Sequence, residues 1–143
     1  MLNSHSQFSL RYGTIKAAEL IDMALEKGYT ALALTDINNT SACLNFVRLA
    51  EQKGLKPLLG IDFREGDRQQ FVGIAKDNQG FQELNGYLSD FLHHKKAIPE
   101  RAKKMERVYV IYPFRNYRHQ FIRLKRNEFI GIRLDELSQL PFS

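Results

Sequence analysis

Residues 31–40, ALALTDINNT, constrain this chain more than any other stretch. Ala31, Leu32, Ala33 and Leu34 are apolar without alternation, the pattern of a short strand covered on both faces. The run exits through Thr35 into Asp36 and a turn rich in Asn, and a helical pattern follows. A carboxylate is thereby set at the carboxyl end of a strand in a strand–helix unit, where α/β proteins build their sites. Asp and Asn are also ordinary turn and cap residues, so the stretch by itself fits plain turn chemistry equally well.

Around this stretch the chain alternates strand and helix. A first strand is predicted at residues 2–5. A helix follows over 14–27, with Ala17, Leu20, Ile21, Ala24 and Leu25 on one face, Thr14 as N-cap and Gly28 as its stop. The second strand covers 31–35. The next helix spans 41–53, with Cys43, Phe46, Val47 and Ala50 inward and Gly54 at its end. A third strand over 55–63 carries Pro57 near its start and Asp62 at its far end. This order predicts parallel pairing with right-handed crossovers. Then come a polar turn at 64–69, a strand over 70–75, and a helix capped by Asn78 and running to about His93. Residues 93–107, broken by Pro99, read as an exposed connection. A strand at 108–112, a helix over 116–126 with Tyr117, Phe121 and Leu124 inward, a strand at 129–132 and a helical start at 135–140 complete the chain.

A length of 143 residues suits one domain over 1–143. The hydrophobic share of 43% and charged share of 26% are those of a soluble globular protein. No apolar run approaches the roughly 20 residues that cross a bilayer, and the amino-terminal residues lack a signal-peptide core. The expectation is a cytoplasmic protein with no membrane partner. The lone Cys43 excludes an internal disulfide and reads as packing; His93 and His94 read as surface residues. Residues 93–126 hold 11 Lys and Arg against two Glu, a balance of +9 that leaves −4 for the rest of a net +5. That segment is either a solvated charged face or a weak contact for DNA.

His5, Asp36 and Asp62 follow three successive predicted strands and so share one edge of the sheet or barrel. One imidazole and two carboxylates make a partial site for Zn²⁺ or Mn²⁺, which would activate water for phosphoester hydrolysis. Paired CxxC, HExxH and P-loop motifs are absent.

HSQFSLRYG, ALALTDINNT and GLKPLLGIDF, in that order and spacing, together with FVGIAKDNQGFQELN, resemble the polymerase branch of the polymerase and histidinol phosphatase (PHP) family. That branch forms the amino-terminal domain of bacterial DNA polymerase III alpha subunits, and the match runs over residues 2–92. The resemblance implies a distorted TIM-like (β/α)7 barrel with metals at the carboxyl ends of its strands, incomplete in this fragment of a larger chain. Active members open with His-x-His-Ser where this chain has Asn3-Ser4-His5-Ser6, and carry Asp-His where it has Asp36-Ile37. The usual Glu after the third strand is Asp62, and the later His-x-His and Asp-x-His motifs are missing. Only His5, Asp36 and Asp62 carry over, as a vestigial metal site, and no stable metal or hydrolytic activity is expected.

By resemblance, the parent chain is a Mg²⁺-dependent DNA-directed DNA polymerase of chromosome replication. This domain would then be a non-catalytic module docking the proofreading exonuclease subunit and other replisome proteins. The alternative is a residual metal-dependent phosphoesterase or 3′–5′ exonuclease using His5, Asp36 and Asp62, mildly favoured by Ser6 and Ser9.

Overall fold

An apolar stripe at helical spacing makes the first helix of the computed structural model, which describes residues 16–117 and 122–132. This helix, α1 (Ala17–Glu26), buries Ala17, Leu20, Ile21 and Ala24, while Leu25, expected inward, is exposed. The proposed cap Thr14 lies outside the described residues; Lys16, in extended backbone, stands at the N-cap position. Gly28 takes the left-handed conformation at φ 81, as a helix stop requires. The chain continues through β1 (Ala31–Ile37), α2 (Cys43–Gln52) and β2 (Lys56–Glu65). It then enters β3 (Arg68–Ala75), α3 (Asn78–His94), β4 (Val108–Pro113), a single 3-10 turn (Phe114–Asn116) and β5 (Glu128–Gly131).

The five strands form one sheet in sequence order. β1 and β2 pair in parallel through the α2 crossover, as the alternation predicts, whereas β3 runs antiparallel to both β2 and β4, and β5 is parallel to β4. The described residues therefore form an open mixed sheet.

Side-chain alternation gives the two faces different roles. Leu32 and Leu34 point into a core with Leu20, Ile21 and Ala24 of α1 and Cys43, Phe46 and Ala50 of α2. Ile61 and Phe63 continue the same face under α3 and meet Leu84, Tyr87 and Phe91. The rings interlock there, with centroids 4.7 Å apart for Phe63–Phe71 and 4.6 Å for Tyr87–Phe91. All three helices thus lie on one side. The opposite face carries a smaller cluster of Ala33, Val72 and Ile74 with Leu58 and Ile111. No described helix covers it, and Tyr109 and Phe129 are exposed. These two rings, with Leu58, Ile74 and Ile111, line a groove of about 720 Å³.

Several expectations depart from the structure. Residues 64–69 are not a long turn: β2 runs to Glu65 and β3 begins at Arg68, leaving Gly66 and Asp67 as the bend. Gly66 has φ 61, the sign that a II′ hairpin demands at its first central residue. Residues 96–107 are irregular and mostly exposed, as expected, but Ile98, Ala102 and Met105 are buried in the core under α3. Residues 122–126 are not helical and Leu124 is exposed, while Tyr117 and Ile122 pack singly against the core. The α3 cap is Asp77, whose carboxylate accepts the Gly80 N–H at 3.0 Å, rather than Asn78. The predicted strand at 2–5 and the helical start at 135–140 lie outside the described residues.

Candidate functional site

Asp36 is next to last in β1, and Asp62 lies in β2 three residues before its end. Both are buried, at 2% and 0% exposure. The parallel register sets Asp36 opposite Ile61 and Ile37 opposite Asp62. Residues opposed in register share a face. Asp36 therefore belongs to the helix-side face with Leu34 and Ile61, and Asp62 to the other face with Leu58 and Gly60. The two carboxylates expected to converge are separated by the sheet, and the same-face neighbour of Asp62 on β1 is Ile37. Cys43 of α2 reports the same placement. Burial, and secondarily the charge of Asp36, push its thiol up to about 12, so it is inert packing.

Asp62 is enclosed by hydrogen-bond donors. Its Oδ2 accepts Nε of Arg64 at 3.2 Å and Nη2 at 3.0 Å, and its Oδ1 accepts Nε2 of Gln69 at 3.1 Å. Arg64 is itself 9% exposed. Gln69 is oriented in turn: Arg115 Nη2 donates to its Oε1 at 3.2 Å, and Asn116 Nδ2 donates to its backbone carbonyl at 2.8 Å. The pairing becomes possible because the hairpin slips by one residue between Phe63 and Arg64, so that Arg64 faces Gln69 and Gln70 is the extra residue. Gln70 then turns to donate to the Ile98 carbonyl at 2.9 Å.

Asn38 holds the mouth of the site. At φ 48 it leaves β1 in the left-handed region, which Asn tolerates better than most residues. Its N–H donates to the Asp62 carbonyl at 3.0 Å. Its side-chain amide accepts from the Arg64 N–H at 3.0 Å and donates to the Arg64 carbonyl at 2.9 Å. The amide thus imitates one more residue of the β1–β2 ladder. Thr40 ties the following loop to α3 through Asn85 at 2.9 Å.

A divalent transition metal needs several converging carboxylate or imidazole donors. Among the described residues no three His, Cys, Asp or Glu side chains converge. Asp62 is engaged by a guanidinium and an amide, Ile37 has no donor atom, and Asp36 is on the other face. Among the described residues, this set of partners suits an anion and does not fit a metal. His5, and with it Asn3, Ser6 and Ser9, lies outside the described residues. His93 and His94 are surface residues, and His94 Nδ1 lies 3.0 Å from Asp90.

Arg64, Gln69, Arg115 and Asn38 are the site residues that sequence reasoning missed. Asp62-Phe63-Arg64 has the two-residue spacing that puts both charges on one strand face, but only if the strand continues past Phe63.

In class, this is an α/β domain with a buried polar cluster at the carboxyl ends of parallel strands. It belongs to the PHP domain family, whose model matches residues 2–134. The chain is 35% identical over 83 residues to the DNA polymerase III subunit alpha of Ureaplasma parvum, covering 58% of this chain and 8% of that one. It is 34% identical over 84 residues to an error-prone DNA polymerase of Symbiobacterium thermophilum, covering 59% and 8%. The chain thus spans less than a tenth of the length of either relative. A solved structure from Bifidobacterium adolescentis, described as a metal-dependent phosphoesterase, matches with a TM-score of 0.51 at 22% identity, covering 65% of this chain and 31% of that one. That likeness concerns the fold. The motif resemblance to the polymerase branch is borne out. Among the described residues no helix is long and apolar enough to cross a membrane.

Proposed function

We propose that this chain is the PHP domain of a bacterial DNA polymerase III alpha subunit, serving as a non-catalytic module that docks the proofreading exonuclease subunit. The observation that carries the non-catalytic reading is the Asp62 carboxylate, both of whose oxygens accept bonds from Arg64 and Gln69. His5, Asp36 and Asp62 are in this reading the remnant of a family site. The parent polymerase would be cytoplasmic and use Mg²⁺ for nucleotidyl transfer on its own carboxylates elsewhere in the chain. The sheet would be one arc of a (β/α)7 barrel. Its helix-free face, with Leu58, Ile111, Tyr109 and Phe129, has the apolar character of a barrel interior. The rival reading, a residual phosphoesterase or 3′–5′ exonuclease, gains nothing from two carboxylates on opposite faces.

The basic segment is a weaker candidate for DNA than its charge suggests. Arg107 bonds Asp77, Arg101 bonds Glu128, and Lys96 bonds Asp90. Lys103 lies over the Tyr87 ring, 4.9 Å from its centroid.

Two assays test the reading. Phosphoesterase and single-strand exonuclease activity, with Mn²⁺ or Zn²⁺ supplied, is expected to stay at the no-protein baseline; metal-dependent turnover lost on Asp62→Asn would sink the non-catalytic claim. The chain is expected to co-elute with the cognate exonuclease subunit in size-exclusion chromatography. Independent elution at micromolar concentrations of both would remove the docking role.

A further inference from the structure

We propose that Arg64 is the built-in cation of this domain: its guanidinium takes the Asp62 carboxylate that a divalent metal would otherwise need. The buried carboxylate is thereby neutralised without a metal. The inference rests on Asp62 standing at the family's third-strand position, and it adds a role for a residue that the family resemblance does not mention.

The geometry has three parts. First, Asp62 is wholly buried, and a buried carboxylate must be neutralised by a cation, a metal or a proton. Second, Arg64 meets Oδ2 with two nitrogens, at 3.2 and 3.0 Å, while Gln69 supplies the other oxygen. Gln69 cannot readily reverse its amide, because Arg115 donates to its Oε1. Third, the position directly beside Asp62 on β1 is Ile37, whose apolar side chain offers an incoming ion no ligand. A guanidinium is permanently charged and planar, and it presents a fork of N–H groups matched to a carboxylate. It supplies what a metal would supply electrostatically, but it has no open coordination position for water. A site rebuilt this way keeps its shape and loses hydrolytic chemistry.

The test is a cycle of Arg64→Gln, Asp62→Asn and the double variant on the whole chain, followed by thermal unfolding with EDTA or millimolar Mn²⁺. Wild type is expected to melt at the same temperature in both. Arg64→Gln is expected to melt well below wild type in EDTA and in Mn²⁺ alike, because one carboxylate does not make a metal site. The double variant is expected to melt above Arg64→Gln whatever the metal, since it removes the orphaned charge. Arg64→Lys, which keeps the charge but not the fork, should fall between wild type and Arg64→Gln. If Arg64→Gln does not fold, rescue by Asp62→Asn still decides the matter. A double variant no better than Arg64→Gln overturns the proposal, as does Mn²⁺ that raises the wild-type melting temperature in an Asp62-dependent way. Loss of exonuclease docking would leave this cycle untouched, so the two readings fail separately.

Discussion

Asp62 with Arg64 and Glu128 with Arg101 are both buried carboxylates held by arginine, and they differ in what they join. Glu128, at the start of β5, gathers partners from across the chain. Tyr112 donates to its Oε2 at 2.6 Å, and Arg101 and the Lys125 N–H donate to its Oε1 at 2.9 and 2.7 Å. The Tyr112 hydroxyl also accepts the Ala102 N–H at 3.1 Å. This cluster staples the irregular 96–107 segment to the sheet. Asp62 takes its arginine from two residues further along its own strand, so that pair joins nothing distant. A local pair adds little to the closure of the fold. Its physical effect is to neutralise a carboxylate that the strand buries, which is why it marks a site and the Glu128 cluster marks a tie. The arginines differ accordingly: the Arg64 side chain is 10% exposed and that of Arg101 40%.

The contrast can be broken most directly at Asp62. Asp62→Ala orphans a buried guanidinium and should lower the unfolding free energy by about 3–5 kcal/mol in urea titration. A loss near that of a surface pair, below about 1 kcal/mol, would mean that Arg64 simply escapes to solvent. Glu128→Gln should cost less, about 1–3 kcal/mol, because Arg101 already reaches water and only charge-assisted bonds are lost.

The same variant tests a pH dependence. Burial raises the affinity of Glu128 for its proton, but the bonds from Tyr112 and the Lys125 N–H and the charge of Arg101 outweigh it and leave the group below its ordinary 4.5. A lowered folded-state value means that the unfolded chain binds the proton first as pH falls. The Glu128 contribution is therefore complete above about 4.5 and disappears as pH drops through the lower folded value. Urea midpoints from about pH 6 down to about pH 3 should show a shallower decline for Glu128→Gln than for wild type. Parallel declines would show that Glu128 is not tied as described.

Two smaller changes sharpen the comparison. Asn38→Ala removes both bonds to the Arg64 backbone and places a Cβ-bearing residue without a side-chain bond at positive φ; about 1–2 kcal/mol should be lost. It should also lower the amide-exchange protection of Arg64, and unchanged protection would argue against the ladder extension. Tyr112→Phe should cost about 1 kcal/mol and loosen the 96–107 segment, seen as faster exchange at Ala102. Exchange accelerated at Arg64 instead would show that the two clusters are coupled, contrary to their separation on the sheet.

Much of the fold was legible because its cues are local. The stripe of α1, the crossover helix α2, the five described strands and the stops at Gly28 and Gly54 all follow from periodicity and glycine chemistry. The buried Cys43 follows from the same stripe. The failures have separate physical causes. Residues 64–69 are polar and looked like a turn, yet Arg64 and Gln69 are polar because they face a buried carboxylate across a hairpin. Residues 93–107 are mostly exposed, as expected, but the burial of Ile98, Ala102 and Met105 went unseen because they have no periodicity, and a segment laid across a core needs none. The apolar positions at Tyr117, Phe121 and Leu124 imitated a helix, but Leu124 is exposed and residues 122–126 have no helical backbone.

The sequence by itself determined the elements, the α/β class and the family, through motifs whose spacing survives without any contact being known. Only the tertiary structure decided which face each carboxylate occupies. Side chains alternate along a strand, so a one-residue change of register would exchange the two faces. Register is set by pairing between strands, by the crossover of α2 and by the slip in the β2–β3 hairpin, none of which any single strand encodes. That is why Asp36 and Asp62, placed on one edge by the order of the strands, stand on opposite sides of the sheet.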